Sequence, residues 1–234
     1  MALPRPMRPE YSTTIPSSGK KIKYNPFSVR EEKVLILAAE SEDLDEIANA
    51  IRNVLDSCIT TSGVDVDELA LFDIEYLFLK ARAKSIGEKI ELRVTDPADE
   101  TYTVDHAINI DTIKVKKFDG HSDLIDISEE IKVKMTYPGI AFFAEGVKTS
   151  DIAESTATIA KLVGSIVIGE EVYNRADMTE EEIVEWLEGL QTSDFTKIMK
   201  FFETMPKLTH TIKLKNRRTE NDFQIVLTGL GDFF

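Results

Sequence analysis

The spacing of apolar residues along this chain changes at Glu88. Before that residue, apolar side chains recur every three or four positions, which is the period of a helix with one buried face. From Glu88 to Tyr137 they alternate with polar residues, as in antiparallel strands with one face in water. The helical spacing returns after Gly139, and alternation returns after Pro206. The sequence therefore predicts an α+β fold with N-terminal helices, central antiparallel β-hairpins, C-terminal helices and a terminal β-hairpin.

Three helices are predicted before the change in spacing. Ser28 and Glu31 have the spacing of a capping box and precede a short helix with a buried face. A second helix over about 43–60 carries its apolar residues on one side, which directs Cys58 inward. Asp73 is predicted to cap the third helix.

The C-terminal part is predicted to contain three more helices and a hairpin. The segment 150–168, SDIAESTATIAKLVGSIVI, is long and mostly apolar and predicts a helix. Thr179 and Glu182 form a second capping box, and the last helix ends at Pro206. Two alternating segments joined through NRRTEN then predict the terminal hairpin.

The first 26 residues differ from the rest in proline content. They hold five of the eight prolines, each of which removes a backbone donor and disfavours helix at the preceding residue. We expect an extended basic arm over 1–26 and a single α+β domain over 27–234. The predicted parts of that domain are helical 27–87, β-rich 88–137, helical 139–206 and a terminal hairpin 207–234.

Charge argues against nucleic acid as a partner. The chain carries a net charge of −14, whereas binding to phosphate backbones requires clustered basic residues. Residues 1–30 hold six basic side chains against Glu10, a net +5, so the remainder carries −19. A basic arm and an acidic body attract each other within one chain or between chains of an oligomer.

Cys58 is the only cysteine, which excludes an internal disulfide and a thiolate metal cluster and fits a reducing compartment. The N-terminal stretch MALPRPMRPEY has no apolar core of the kind found in signal peptides. We therefore expect neither a signal peptide nor a membrane span.

The Gly19-Lys20 pair resembles part of a phosphate-binding loop, but its surroundings do not fit. Such a loop requires a glycine five positions before Gly19, where Thr14 stands, and a Ser or Thr after the lysine, where Lys21 stands. The residues that follow alternate like a strand. The stretch Ser17 to Lys20 is therefore predicted to be a turn.

The three histidines are the only side chains with an ordinary pKa near neutrality, and none lies in a recognisable catalytic motif. His106 and His121 each have a carboxylate nearby in sequence, which leaves a hydrolase as an alternative function. His210 has no such neighbour. The acidic run at 180–182 is explained by the helix dipole at a helix start. We expect a protein without catalytic residues, cofactor or metal.

Consecutive phenylalanines occur at 142–143, 201–202 and 233–234. Because neighbouring residues of a helix or strand cannot face one core equally, at least one ring of some pairs is expected to contact a partner, whereas most of the rings are expected to lie in the core. Charged residues steer encounter and buried aromatic residues carry interface energy. The residues predicted to bind a partner are Lys20, Lys21, Lys23, Tyr24, Phe27, Phe233 and Phe234.

Four stretches of the chain together resemble the baseplate hub proteins of T-even-type contractile-tailed phages. They are SSGKKIKYNPFSVREEKVLILAAES, DELALFDIEYLFLKARAKSIGE, MTYPG and the terminal LTGLGDFF, and the resemblance covers residues 15–234. It implies a non-enzymatic protein that acts in hub assembly through contacts with other hub or tail proteins. The protein would be an assembly chaperone or a hub component, and the alternative is a permanent subunit of the virion baseplate. The implied location is the host cytoplasm during assembly or the tail baseplate of the virion.

The chain departs from this family at two hairpin turns. Some members resemble zinc ribbons there, with cysteine pairs, one of them just before the terminal motif. This chain has Asn216 to Asp222 at that turn and no cysteine in the DPADE turn, so a structural zinc lacks its thiolates. The hairpins are then expected to be held by packing and ladder hydrogen bonds alone.

Overall fold

The computed structural model describes residues 7–145, 155–229 and 231. Contacts between residues group the chain into two compact units. Unit 1 is built from two separate parts of the sequence, the described residues up to Lys116 and those from Lys207 onward. Unit 2 consists of the described residues from Lys117 to Pro206. The single domain predicted over 27–234 stays a prediction.

The chain begins in unit 1 and returns to it after unit 2. The first part of unit 1 comprises β1 (Tyr11–Thr14), β2 (Lys21–Tyr24), α1 (Val29–Ser41), α2 (Leu44–Cys58), α3 (Leu71–Ser85), β3 (Lys89–Asp96), β4 (Asp99–Asn109) and β5 (Val115–Lys116). Unit 2 comprises β6 (Leu124–Asp126), β7 (Ile131–Met135), α4 (Ile140–Ala144), α5 (Thr156–Lys161), β8 (Val163–Ile168), β9 (Glu171–Asn174), α6 (Glu180–Glu188) and α7 (Thr192–Thr204). Unit 1 ends with β10 (Lys207–Lys215) and β11 (Asp222–Thr228).

All strand pairs of the described residues are antiparallel. In unit 1, β1 pairs with β2, β3 pairs with β4, and β10 lies between β11 and β5. In unit 2 the four strands pair in the order β6-β7-β8-β9. Helices and antiparallel sheets occur in both units, and the predicted α+β class is confirmed.

Local signals place the starts of α1 and α2. The backbone N–H of Ser28 donates to the Glu31 carboxylate at 2.6 Å, which confirms the predicted capping box. The Asp43 side chain accepts from the N–H groups of Asp45 and Glu46 at 2.9 and 3.2 Å. The inward direction predicted for Cys58 is also confirmed, since its thiol is buried and burial raises its pKa to about 11.

Helix α1 differs from the prediction in what it buries. A buried apolar face was expected, but Ala38 is the one fully buried residue of this helix. The larger apolar side chains of Val29, Val34, Ile36 and Leu37 are exposed. Helix α2, by contrast, buries six residues, so α2 contributes most of the buried apolar surface of these two helices.

The predicted cap of α3 is wrong. The helix begins at Leu71 with Ala70 as its N-cap, and Asp73 lies within its first turn. The Asp73 side chain is fully buried and accepts a hydrogen bond from the backbone N–H of Ser17 at 2.9 Å. It serves a tertiary contact because α3 starts three residues earlier than the capping signal suggested.

Part of the helix predicted over 150–168 is a strand. Residues 150–154 lie outside the described residues, α5 spans only Thr156–Lys161, and the chain then enters β8. The run VGSIVI in β8 is rich in β-branched residues, which favour strands, and a hairpin follows it at Gly169 with φ of 61°. The prediction that 139–206 is wholly helical is wrong for this reason.

The core of unit 2 contains both phenylalanines of α7. Phe201 and Phe202 are buried, with their ring centroids 5.1 Å apart in an edge-on arrangement. Both rings of this pair thus lie in the core, the position expected for most of these phenylalanines. The capping box of α6 is confirmed, because the Thr179 N–H donates to the Glu182 carboxylate at 2.8 Å.

Candidate partner-binding surface

The predicted turn at Ser17–Lys20 connects β1 and β2 as a hairpin. The N–H of Gly19 donates to the Ile15 carbonyl at 2.9 Å, and the N–H of Ile15 donates to the Lys20 carbonyl at 2.9 Å. Gly19 has φ of 70°, a conformation that glycine adopts without steric cost. Strand β2 follows directly, as predicted, so the stretch that resembled a phosphate loop is a hairpin turn.

This hairpin is fixed to unit 1 on one side. Ile15 and Ile22 are almost completely buried, and the Asp73 side chain holds the turn through the N–H of Ser17. On the other edge, the N–H of Lys23 donates to Thr61 Oγ1 at 2.8 Å and the N–H of Thr60 donates to the Lys23 carbonyl at 2.9 Å. The described part of the predicted arm is therefore an anchored hairpin that presents one side to solvent.

The three lysines predicted to bind a partner lie together on that solvent side. Lys20 Nζ donates to the Gly63 carbonyl at 2.6 Å, and Lys23 Nζ pairs with the Glu10 carboxylate at 2.6 Å. The hydrogen bond from Lys23 lowers the pKa of Glu10. The Lys21 side chain is exposed and has neither a hydrogen bond nor an ion pair within the described part of the chain. Lys21 is thus the most available charge of the three.

Tyr24 and Phe27 lie on the inner side. The Tyr24 ring lies 5.9 Å from the Tyr11 ring, and burial raises the pKa of Tyr24 to about 12. The Phe27 ring stacks on Phe78 at 6.3 Å, and its N–H donates to Ser85 Oγ at 2.8 Å. A partner docking on the hairpin reaches its lysines and leaves these two rings inside unit 1. The other two predicted contacts, Phe233 and Phe234, lie outside the described residues.

A charge cluster beside the hairpin was missed by the sequence analysis. Lys80 and Lys84 of α3 reach the Asp111 carboxylate at 3.0 and 2.9 Å, and Lys84 also pairs with Glu88 at 2.6 Å. Burial acts to raise the pKa of Asp111, but the hydrogen bonds from Lys84 and Lys80 lower it overall. The spacing of four residues on a helix is a signal that could have paired the two lysines, whereas Asp111, far away in sequence, carries no signal of this contact.

Two cation–π contacts join this cluster to aromatic rings. Lys80 lies 5.3 Å from the Tyr76 ring centroid and Lys84 lies 5.6 Å from that of Tyr11. Tyr76 in turn shares a hydrogen bond of 3.0 Å with Thr13 of β1. Because Asp111 and Glu88 neutralise the two lysines, the cluster is suited to fastening β1 to α3 and not to binding an anion.

The two hairpin turns that lack cysteines are joined by side chains. Asn216 Nδ2 donates to the carboxylates of Asp96 and Asp99 at 2.7 and 3.3 Å, and Arg218 donates to Thr101 Oγ1 at 3.1 Å. Asn216 and Asp96 are buried. The expectation that packing and ladder bonds alone hold these hairpins is wrong, because a buried polar link connects the turns.

His121 belongs to a half-buried cluster in unit 2. Its Nδ1 lies 2.9 Å from Thr204 Oγ1 and its Nε2 lies 2.9 Å from the Tyr137 hydroxyl. Thr204 Oγ1 donates to the Lys200 carbonyl at 2.7 Å, so it accepts from Nδ1–H, and Nε2 of the neutral ring accepts from Tyr137. This arrangement suits a structural imidazole. His106 and His210 lie half-buried on β4 and β10.

The His121 cluster makes the stability of unit 2 depend on pH. Burial lowers the pKa of His121, against the opposing charge of Asp123. In the unfolded chain the histidine has a pKa of about 6.5, so at a pH near or below 6.5 the unfolded chain binds more protons than the folded chain. The free energy of unfolding is therefore highest above about pH 6.5 and falls as the pH drops below that value. We expect His121→Gln to lose less stability than the wild type between about pH 7 and 5. Urea denaturation followed by fluorescence of Trp186, which packs on the unit 2 core, measures this.

The control for this experiment is His210→Gln, since His210 belongs to unit 1. It should leave the pH dependence of the Trp186 transition as in the wild type. Parallel pH profiles for wild type and His121→Gln would contradict the assignment of a neutral, hydrogen-bonded His121.

No cluster of three or more His, Cys, Asp or Glu residues within 7–145, 155–229 and 231 is arranged to hold a metal ion. The helices in these same ranges are not long and apolar enough to cross a membrane.

The chain is similar to a known protein family over almost all of its length. Residues 8–234 match a family model described as T4 bacteriophage base plate protein. No curated protein and no solved structure matches the chain. The match covers the N-terminal hairpin and both units, so it applies to the whole arrangement described above.

Proposed function

The chain belongs to the T4 bacteriophage base plate protein family, and from this membership we propose that it acts in assembling the central hub of the baseplate. A protein of this family has a structural or assembly role in a phage tail and works among other baseplate proteins. The match over residues 8–234 is the observation that carries the proposal. The resemblance of its terminal and central stretches to hub proteins supports assigning the chain to the hub, as opposed to another part of the baseplate.

The proposed mode of action is protein–protein contact without catalysis. The histidine considered for a hydrolase, His121, is engaged by Thr204 and Tyr137 and surrounded by aromatic rings. The basic hairpin offers exposed charge on an anchored support, which suits a surface that meets an acidic partner. We propose that the chain is an assembly chaperone that leaves before the tail is complete.

The abundance of the chain at two stages of assembly tests this role. Quantitative mass spectrometry should find it in hub precursors and find it depleted in purified mature tails. Stoichiometric copies in mature tails would instead establish a permanent subunit and overturn the chaperone proposal. Absence of the chain from both preparations would overturn the proposed role in hub assembly.

Reversing charge on the hairpin tests where the partner binds. The double variant Lys20→Glu/Lys21→Glu should reduce co-purification of hub proteins with the tagged chain from infected cells by about tenfold, since both side chains face solvent. Lys23 is left unchanged because it pairs with Glu10. The matched control, Lys213→Glu/Lys215→Glu, makes the same charge change at exposed positions of β10. Equal losses in both variants would show that net charge matters and the hairpin does not.

A further inference from the structure

Helix α1 presents a continuous exposed face that contains three of its apolar side chains. Val29, Ile36 and Leu37 are 67%, 51% and 65% exposed. Together with Lys33 and Glu40 they recur at intervals of three and four residues, so all five lie on one side of the helix. Single exposed apolar residues are ordinary, but a helical stripe of them marks an interaction surface.

The two charged residues of this face have no partner in the chain. Lys33 and Glu40 are exposed, and neither side chain forms a hydrogen bond or ion pair within the described residues. Glu31 of the same helix, by contrast, is engaged by Ser28 and Arg8. The exposed face therefore carries one free positive and one free negative charge, seven residues apart.

The order of residues on this face is self-complementary. Lys33 and Glu40 lie at equal distances on either side of the point between Ile36 and Leu37. Seven residues are almost two helical turns, roughly 10 Å, so both charges stay on the same side of the helix. When two copies of α1 pack antiparallel about a two-fold axis at that point, Lys33 of each copy faces Glu40 of the other.

The same axis accounts for the apolar residues. A two-fold axis perpendicular to both helices brings Ile36 against its own counterpart and Leu37 against its own counterpart. The symmetric dimer thus has two ion pairs, one on each side of an apolar centre. A different partner protein would need no such symmetry in the spacing of charges on this chain.

We propose that the exposed face of α1 is the interface with a second copy of this chain, in an antiparallel, two-fold symmetric dimer. One helix face buries less than the roughly 800 Å² per partner of a standard stable interface, so the dimer should form in a concentration-dependent way. The proposal does not rest on the hub role, since it follows from α1 alone.

Analytical ultracentrifugation of the full chain over a range of concentrations tests the interface. The wild type should shift from monomer to dimer as concentration rises, and Leu37→Glu should remain monomeric. The control Val226→Glu places the same charge at an exposed apolar position of β11 and should dimerise like the wild type. A monomeric wild type at every concentration would overturn the proposal, as would a Leu37→Glu variant that dimerises normally.

A charge swap tests the antiparallel pairing itself. By symmetry, Lys33→Glu alone turns two attractive pairs into two repulsive ones and should raise the dimer dissociation constant by about tenfold. Glu40→Lys alone should do the same. The double variant Lys33→Glu/Glu40→Lys restores both pairs in reversed order and should return to near the wild-type constant. A double variant weaker than either single variant would rule out this register and favour a different occupant of the face.

Discussion

Replacing Phe27 with alanine is expected to lower the free energy of unfolding of unit 1 by about 3–5 kcal/mol. The Phe27 ring is 6% exposed and stacks on Phe78, which is fully buried, so its removal leaves a cavity that α3 cannot close easily. The loss combines the transfer free energy of the ring with the cost of that cavity. Urea denaturation of the full chain monitored by circular dichroism measures it.

A comparison with Val226→Ala separates this core role from an ordinary truncation. Val226 lies in the same unit and is half-exposed, so its loss should cost less than about 1 kcal/mol. The sequence pattern assigned Phe27 to a partner, and this experiment decides between the two assignments. A Phe27→Ala variant of normal stability that fails to bind hub proteins would favour the partner.

Replacing Asn216 with alanine should destabilise unit 1 by about 3 kcal/mol. Asn216 donates to the buried Asp96 carboxylate at 2.7 Å, and its own side-chain oxygen accepts from the N–H of Arg218 at 2.8 Å. The alanine variant leaves a buried carboxylate oxygen without its donor. This costs more free energy than a typical hydrogen bond contributes to stability. Thermal and urea unfolding both report this loss.

The matched control is Asn221→Ala, the same change at an exposed position of the same turn. It should alter stability by no more than about 0.5 kcal/mol. If both variants lose the same amount, turn propensity is responsible and the link between the two hairpins is not.

Local chemistry made several elements predictable. The capping boxes at Ser28 and Thr179 each act within four residues, and the alternation from Glu88 onward reflects one wet face of a sheet. The direction of Cys58 followed from the helical period alone. These features depend on neighbours in sequence, which is why a single sequence was sufficient.

The misread elements depend on neighbours in space. The hairpin of β1 and β2 is short, and its first strand, YSTT, carries no apolar alternation, so its order comes from contacts with Asp73 and Thr61. The apolar run of β8 fits a helix or a strand equally well until its sheet partners are known.

The candidate surface likewise combines features that the sequence indicates with features that only the fold specifies. Charge density selected the lysines of the hairpin as partner contacts, which stays a prediction, and their side chains are exposed because long charged side chains are rarely buried. It could not distinguish Lys21 from Lys23, whose partner Glu10 is specified by the fold. Aromatic character suggested contact for Tyr24 and Phe27, but the same character fills a core equally well.

The discontinuity of unit 1 has a consequence for synthesis on the ribosome. Strand β5 pairs with β10, and the Asn216 link reaches back to Asp96, so these contacts wait until all of unit 2 has been translated. At about 5–20 residues per second, synthesis of the segment between β5 and β10 takes roughly 5–20 s. During it the nascent helices and hairpins of unit 1 have no C-terminal strands to pair with. Completion of unit 1 is therefore expected to be the last folding event, and ribosome-bound intermediates should contain a protease-resistant unit 2 beside a sensitive unit 1.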